Sequence, residues 1–143
     1  MMKTILFLIP LLLLLNGCDT IVDENSSYDY SIEQEMGCFC PQGGTWVKLF
    51  VKADSVSKAI RISDWYNLSY NEFRYYKSIK GLFDQISDID TSKYDLKVIM
   101  DSKDNYPAYV YFNPKPIVVS GDTVAIAVDG QLSYTTRNYS KSD

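Results

Sequence analysis

SYDYSIEQEMGCFCPQGGTWVKLFVKA, residues 27–53, carries the pattern that decides the fold. In its first third Tyr28, Tyr30 and Ile32 alternate with Asp29, Ser31 and Glu33. A period of two is the signature of a strand with one buried and one wet face. In its last third Val47, Leu49, Val51 and Ala53 alternate with Trp46, Lys48, Phe50 and Lys52, so the second strand is apolar on much of both faces. Between them stands Gly37-Cys38-Phe39-Cys40-Pro41, followed by Gln42-Gly43-Gly44, a turn composition. The stretch is therefore expected to be strand, corner, strand.

The pattern continues downstream. Asp54-Ser55 is the expected hairpin turn, and Val56 to Ser63 the returning strand. Asp64 to Tyr76 is irregular and rich in rings: Trp65, Tyr66, Tyr70, Phe73, Tyr75 and Tyr76. Ile79, Leu82, Phe83 and Ile86 then fall at i, i+3, i+4, i+7, one stripe of a helix, with Ser78 or Asn71 as N-cap. Gly81 inside it is expected to let the helix pack closely on the sheet. Tyr94 to Asp101 and Tyr106 to Phe112 alternate again, with Pro107 fitting an edge strand or the start of a strand. Shorter strands are expected at Ile117 to Val119, at Val124 to Val128 and on to about Thr136, with a turn at Ser120-Gly121-Asp122 and either a hairpin turn or a bulge at Asp129-Gly130. Strands grouped around one helix mean α+β rather than a parallel βαβ sheet. The expectation is an antiparallel sheet of five to seven strands with one main helix on one face, in the order β-β-β-α-β-β-β.

Upstream, Met1-Met2-Lys3 is a short cationic segment, and Ile5 to Leu15 an apolar run too short to span a bilayer. Leu15-Asn16-Gly17-Cys18 then resembles a bacterial lipobox, whose Cys is lipidated. The expected organisation is a signal peptide over 1–17, lipidated Cys18 and a flexible tether over 18–27, one domain over 28–137, and a loose tail over 138–143. The expected location is the bacterial cell envelope, held to a membrane by lipid on Cys18.

Charge narrows the function. The chain has 14 basic and 18 acidic residues, a net of −4, and removing Lys3 with the signal makes it −5. That balance argues against a nucleic-acid partner. The lysines form no run, which argues against a polybasic grip on anionic lipid. There is no histidine, which excludes Ser-His-Asp and Cys-His nucleophile systems and histidine metal sites. No catalytic residue, cofactor or bound metal is expected. The acidic residues Asp84, Asp88, Asp90, Asp101 and Asp104 follow no calcium-loop spacing and read as a solvated face.

Two candidate sites remain. Cys38 and Cys40 have three readings. They can form a structural disulfide, stabilising by about 1.5 kcal/mol through loop closure. They can be a redox pair, although nothing basic in sequence flanks them. With Met36 they can offer three sulfurs to a soft metal. In an extended chain their Cα atoms would lie roughly 6.6 Å apart, so a bend is needed for a bridge. The second candidate is the ring-rich stretch, with Trp65, Tyr66, Tyr70 and Phe73 as a surface for an envelope protein or a glycan. The competing reading is a loop packing its own rings over the sheet.

The ordered set of features resembles a family of small bacterial lipoproteins and secreted proteins, the domain of unknown function 6174. The features are the Y-x-Y strand (Tyr28, Tyr30), the C-x-C-P corner (Cys38, Cys40, Pro41), the hairpin Val51 to Val56, S-I-x-x-L-F-D-x-I over Ser78 to Ile86, Asp101, and the Tyr106-Pro107 step. The resemblance implies an exported, anchored α+β domain and no particular activity. The leading expectation is a non-enzymatic, membrane-anchored binding or accessory module; the alternative is an envelope thiol-redox or soft-metal protein acting through Cys38 and Cys40.

Overall fold

A computed structural model describes residues 27–119, 122–124 and 130–142. The signal peptide, Cys18 and all of the tether before Ser27 lie outside the described residues, as do most of Val124–Val128 and Asp129. The elements are β1 (Tyr30–Gly37), β2 (Trp46–Lys52), β3 (Ser55–Arg61), α1 (Tyr70–Phe73), α2 (Ile79–Asp88), β4 (Tyr94–Met100), β5 (Pro107–Pro114), β6 (Ile117–Val119), β7 (Asp122–Val124) and β8 (Leu132–Lys141). Six strands form one antiparallel sheet in the order β3-β2-β1-β8-β5-β4, and β6 and β7 pair apart as a two-stranded ribbon. The fold is α+β, within the expected strand count.

Register explains which face is covered. Tyr30, Ile32 and Gln34 of β1 stand opposite Val51, Leu49 and Val47 of β2. Met36 and Gln34 stand opposite Tyr134 and Thr136 of β8, and Tyr134 opposite Val110 of β5. These positions share one face, and α2 closes over it with Leu82 fully buried. The apolar contacts among Ile32, Leu49, Leu82, Val110 and Phe112 are the core. The other face carries Glu33, Glu35, Trp46, Lys48, Phe50, Lys58, Tyr109 and Tyr111.

The helix starts where its sequence says. Ser78 is the N-cap, its Oγ accepting from Gly81 N at 3.0 Å. Phe83 turns outward and is partly exposed, so the stripe facing the core is Ile79, Leu82 and Ile86. Gly81 does not serve helix-on-sheet packing: a Cβ there would meet Ser78 Oγ at 3.3 Å, within the helix's own first turn. Pro107 opens β5, an interior strand between β4 and β8, which resolves its two readings in favour of a strand start.

Two sequence expectations are corrected. The β2–β3 turn is Ala53-Asp54 rather than Asp54-Ser55. Both residues have left-handed φ (47° and 62°), the backbone of a type I′ hairpin, reached here without glycine. Residues 138–141, expected as part of a loose tail, are strand, since β8 runs through Lys141 and pairs with Tyr30 and Ser31. Between Glu33↔Arg137 and Ser31↔Ser140 β8 has one residue more than β1, and Asn138 there has φ 55°. That bulge breaks the alternation that would have marked the strand. Tyr139 beyond it packs its ring 5.5 Å from Tyr30 and 5.9 Å from Tyr106.

Buried phenols make stability alkaline-sensitive. Tyr134 donates to Tyr75 O at 3.2 Å, and burial pushes its phenol up to about 12. Burial, with a smaller contribution from Glu35, pushes Tyr76 up to about 12 as well. With a raised folded-state value, the folded chain keeps protons that the unfolded chain has released. Their stabilisation is whole below about pH 10 and drains away as pH rises toward 12. Urea midpoints should therefore fall across that window, and the double replacement Tyr76→Phe, Tyr134→Phe should flatten the fall.

Candidate functional site

The C-x-C-P corner leaves the sheet at the end of β1 and returns into β2. Cys38 and Cys40 lie at disulfide distance, with Cα atoms 5.3 Å apart, so the chain bends there as a bridge requires. Both are partly buried against the core, whereas Phe39 between them is 95% exposed. Met36, the third sulfur of the soft-metal reading, is buried in the core itself. Among the described residues no group of three or more His, Cys, Asp or Glu side chains could hold a metal.

The corner is fixed by its backbone. Gly43 N donates to Cys40 O at 2.9 Å and Gly44 N to Met36 O at 2.9 Å. Gly44 has φ 72°, and a Cβ on Gly43 would lie 2.3 Å from Cys38 O. Since that neighbour is backbone, a side chain at 43 must displace the corner. Gly43→Ala is expected to cost roughly 1–3 kcal/mol, read as a lower urea midpoint at unchanged slope. From the helix side Tyr76 hydroxyl reaches Thr45 O at 3.2 Å and Gln42 O at 3.4 Å, tying the turn to the segment before α2.

That segment is itself pinned to the sheet at alternate residues. Tyr134 hydroxyl donates to Tyr75 O. Gln34 Nε2 donates to Lys77 O at 3.1 Å and its Oε1 accepts from Lys77 N at 2.9 Å. Tyr30 hydroxyl accepts from Ile79 N at 3.0 Å. Gln34 escaped the sequence reading; the signal for it was a polar side chain on the apolar face of an alternating strand.

Between the corner and the ring-rich loop lies a cleft of about 720 Å³, walled by Pro41, Trp46, Arg61, Leu68, Glu72 and Tyr76 among others. Its charges are already matched. Arg61 Nη1 is 3.1 Å from Asp64 and Nη2 4.0 Å from Glu72. Arg137 stacks 3.7 Å over Trp46 and binds Glu33 at 2.9 Å. Glu72 Oε2 accepts from Ser69 Oγ and Ser69 N, and these bonds hold its carboxyl below the usual range. It is therefore ionised and engaged at neutral pH, poorly suited to moving a proton.

The four ring residues named from sequence do not line this cleft. Trp65 is 70% and Tyr70 69% exposed. Tyr66 covers Arg61, 5.1 Å from its guanidinium carbon, and Phe73 packs on the core. The loop also extends the sheet edge, with Arg61 N bonding Tyr66 O and Leu68 N bonding Ala59 O, each at 2.9 Å. Leu68, Phe73 and Tyr76 thus cover the sheet, as the packing reading has it, while Trp65 and Tyr70 face solvent. Asp101 and Asp104 belong to a turn in which Asp101 Oδ1 accepts from Lys103 N and Asp104 N.

Comparison with curated proteins and with solved structures gives no match. A family model matches residues 23–140, which takes in every strand and helix described above except the last residue of β8. The chain belongs to the family of unknown function DUF6174.

Proposed function

We propose that this chain is a lipid-anchored, non-enzymatic binding module of the bacterial envelope, which grips an envelope protein through the corner between β1 and β2. One observation carries this reading: Phe39 is 95% exposed while the cysteines on both sides of it are packed against the core. A ring held out on a fixed backbone gives large contact area with little ordering entropy to lose on binding. The cleft lined by Pro41 and Gln42 of the same connection, with paired charges and an engaged carboxylate, suits recognition better than bond-making. The lipobox-like Leu15-Asn16-Gly17-Cys18 supports the anchored placement.

The test is photo-crosslinking in the producing cell. A benzophenone side chain replaces Phe39, Trp65 or Ile99 in turn, all three being exposed. One discrete protein adduct from position 39 alone is the expected result. Adducts of equal yield from all three positions, or none from position 39, would sink the proposal. A glycan adduct from position 65 would move the site to the exposed rings Trp65 and Tyr70. Exchange of the Cys38–Cys40 pair with a bound thiol would favour the redox alternative.

A further inference from the structure

Lysines that form no run in the sequence meet on the open face of the sheet. Lys48 and Lys52 lie on β2 and Lys58 on β3. Lys48 Nζ and Lys58 Nζ sit 5.5 Å and 5.6 Å from the centre of the Phe50 ring. Tyr28 packs edge-on against that ring, centroids 4.9 Å apart, and Lys52 Nζ is 3.4 Å from Ser27 Oγ. Two of the neighbouring acids are already engaged. Asp29 accepts from Ala53 N at 2.7 Å, and Glu33 is held by Arg137 and Asn138. Asp54 lies toward the helix side, where its charge bears on Tyr30 and Lys80.

We propose that Lys48, Lys52 and Lys58, with Phe50 and Tyr28, seat this end of the domain on an anionic lipid surface. The inference rests on the reading of Cys18 as lipid-bearing. The position of the patch selects the occupant. Ser27, where the N-terminal segment joins the domain, touches the patch itself, and eight residues lie between it and Cys18. The nine Cα steps from Cys18 to Ser27 reach at most about 30 Å, so an acylated Cys18 keeps the patch close to the bilayer. Ammonium groups around rings match the chemistry of a headgroup layer, where lysine stems lie along apolar surface and phosphates take the charge. The placement also orients the molecule. The patch is at the Tyr30 and Lys52 end of β1 and β2, and the corner with Phe39 is at the other. Eight residues of β1 separate the two ends by roughly 25 Å. Seating the lysines on lipid therefore holds Phe39 away from it.

The experiment is amine footprinting of the purified full chain reconstituted in vesicles. Trace acetylation of each lysine is read by mass spectrometry, and intact mass reports acyl chains on Cys18. In vesicles of about one-third phosphatidylglycerol, Lys48, Lys52 and Lys58 should be acetylated several-fold more slowly than in pure phosphatidylcholine vesicles. Lys80, Lys93 and Lys103 should be unaffected. Salt near 1 M, where screening acts within about 3 Å, should abolish the difference. Equal rates in the two vesicle types, with acyl chains present, overturn the lipid contact alone. Equal slowing of all six lysines by phosphatidylglycerol also overturns it. Absence of acyl mass from chain purified from its native membrane overturns the anchored reading and this inference with it.

Discussion

Replacing Gln34 by alanine is expected to cost about 3 kcal/mol of folding stability, the largest single-residue effect in the sheet's polar contacts. Gln34 is fully buried, and its amide serves Lys77 N, Lys77 O and Thr136 Oγ1. Removing it strands the backbone amide and carbonyl of Lys77 beneath the junction of α1 and α2, and each stranded group costs roughly 1–3 kcal/mol. A loss of that size lowers the melting temperature by on the order of 10–15 °C in a domain of this length. Gln34→Glu separates the causes. It keeps the acceptor for Lys77 N, loses both donated bonds and buries a carboxylate, so the variant should regain stability as pH falls and the carboxyl protonates. A Gln34→Ala loss under about 1 kcal/mol in urea titration would mean that water replaces the clamp.

Phe39→Ala should weaken partner binding at least about 30-fold, the scale of a central aromatic anchor, while leaving the melting temperature almost unchanged. The two halves follow from one fact. A side chain 95% exposed contributes almost nothing to the fold, so its whole contact area is available to a partner. The double replacement of Cys38 and Cys40 by serine complements it. With Phe39 present but the backbone released, binding should weaken less than for Phe39→Ala, through the ordering entropy that the fixed corner avoids. Titration of the crosslinked partner, once purified, against the three proteins measures both effects. Equal affinity for wild type and Phe39→Ala would place the interface elsewhere.

Local chemistry was legible wherever one element decides it. Alternation marked β1, β2, β4 and β5, and the spacing of Ile79, Leu82 and Ile86 marked α2 with Ser78 as its cap. The bend at Cys38-Phe39-Cys40-Pro41 was legible from composition, as was the exposure of Asp84, Asp88, Asp90 and Asp104, whereas Asp101 is a half-buried turn acceptor. The Ala53-Asp54 turn and the end of β8 were hidden because they use left-handed Ala, Asp and Asn where glycine would have announced them.

By itself the sequence determined the fold class, the approximate extents of β1, β2, β4 and β5, the place of the corner and the stretch that resembles an export address. Only the tertiary structure decided which strands are neighbours. Periodicity tells a strand which face is apolar but not whom it pairs with, and β8 enters between β1 and β5 from about a hundred residues away. The same long-range pairing turned Gln34 from an odd polar residue into a clamp. Pairing of β2 with β3 likewise brought Lys48 and Lys58 to one ring, because facing positions on adjacent antiparallel strands lie about 5 Å apart.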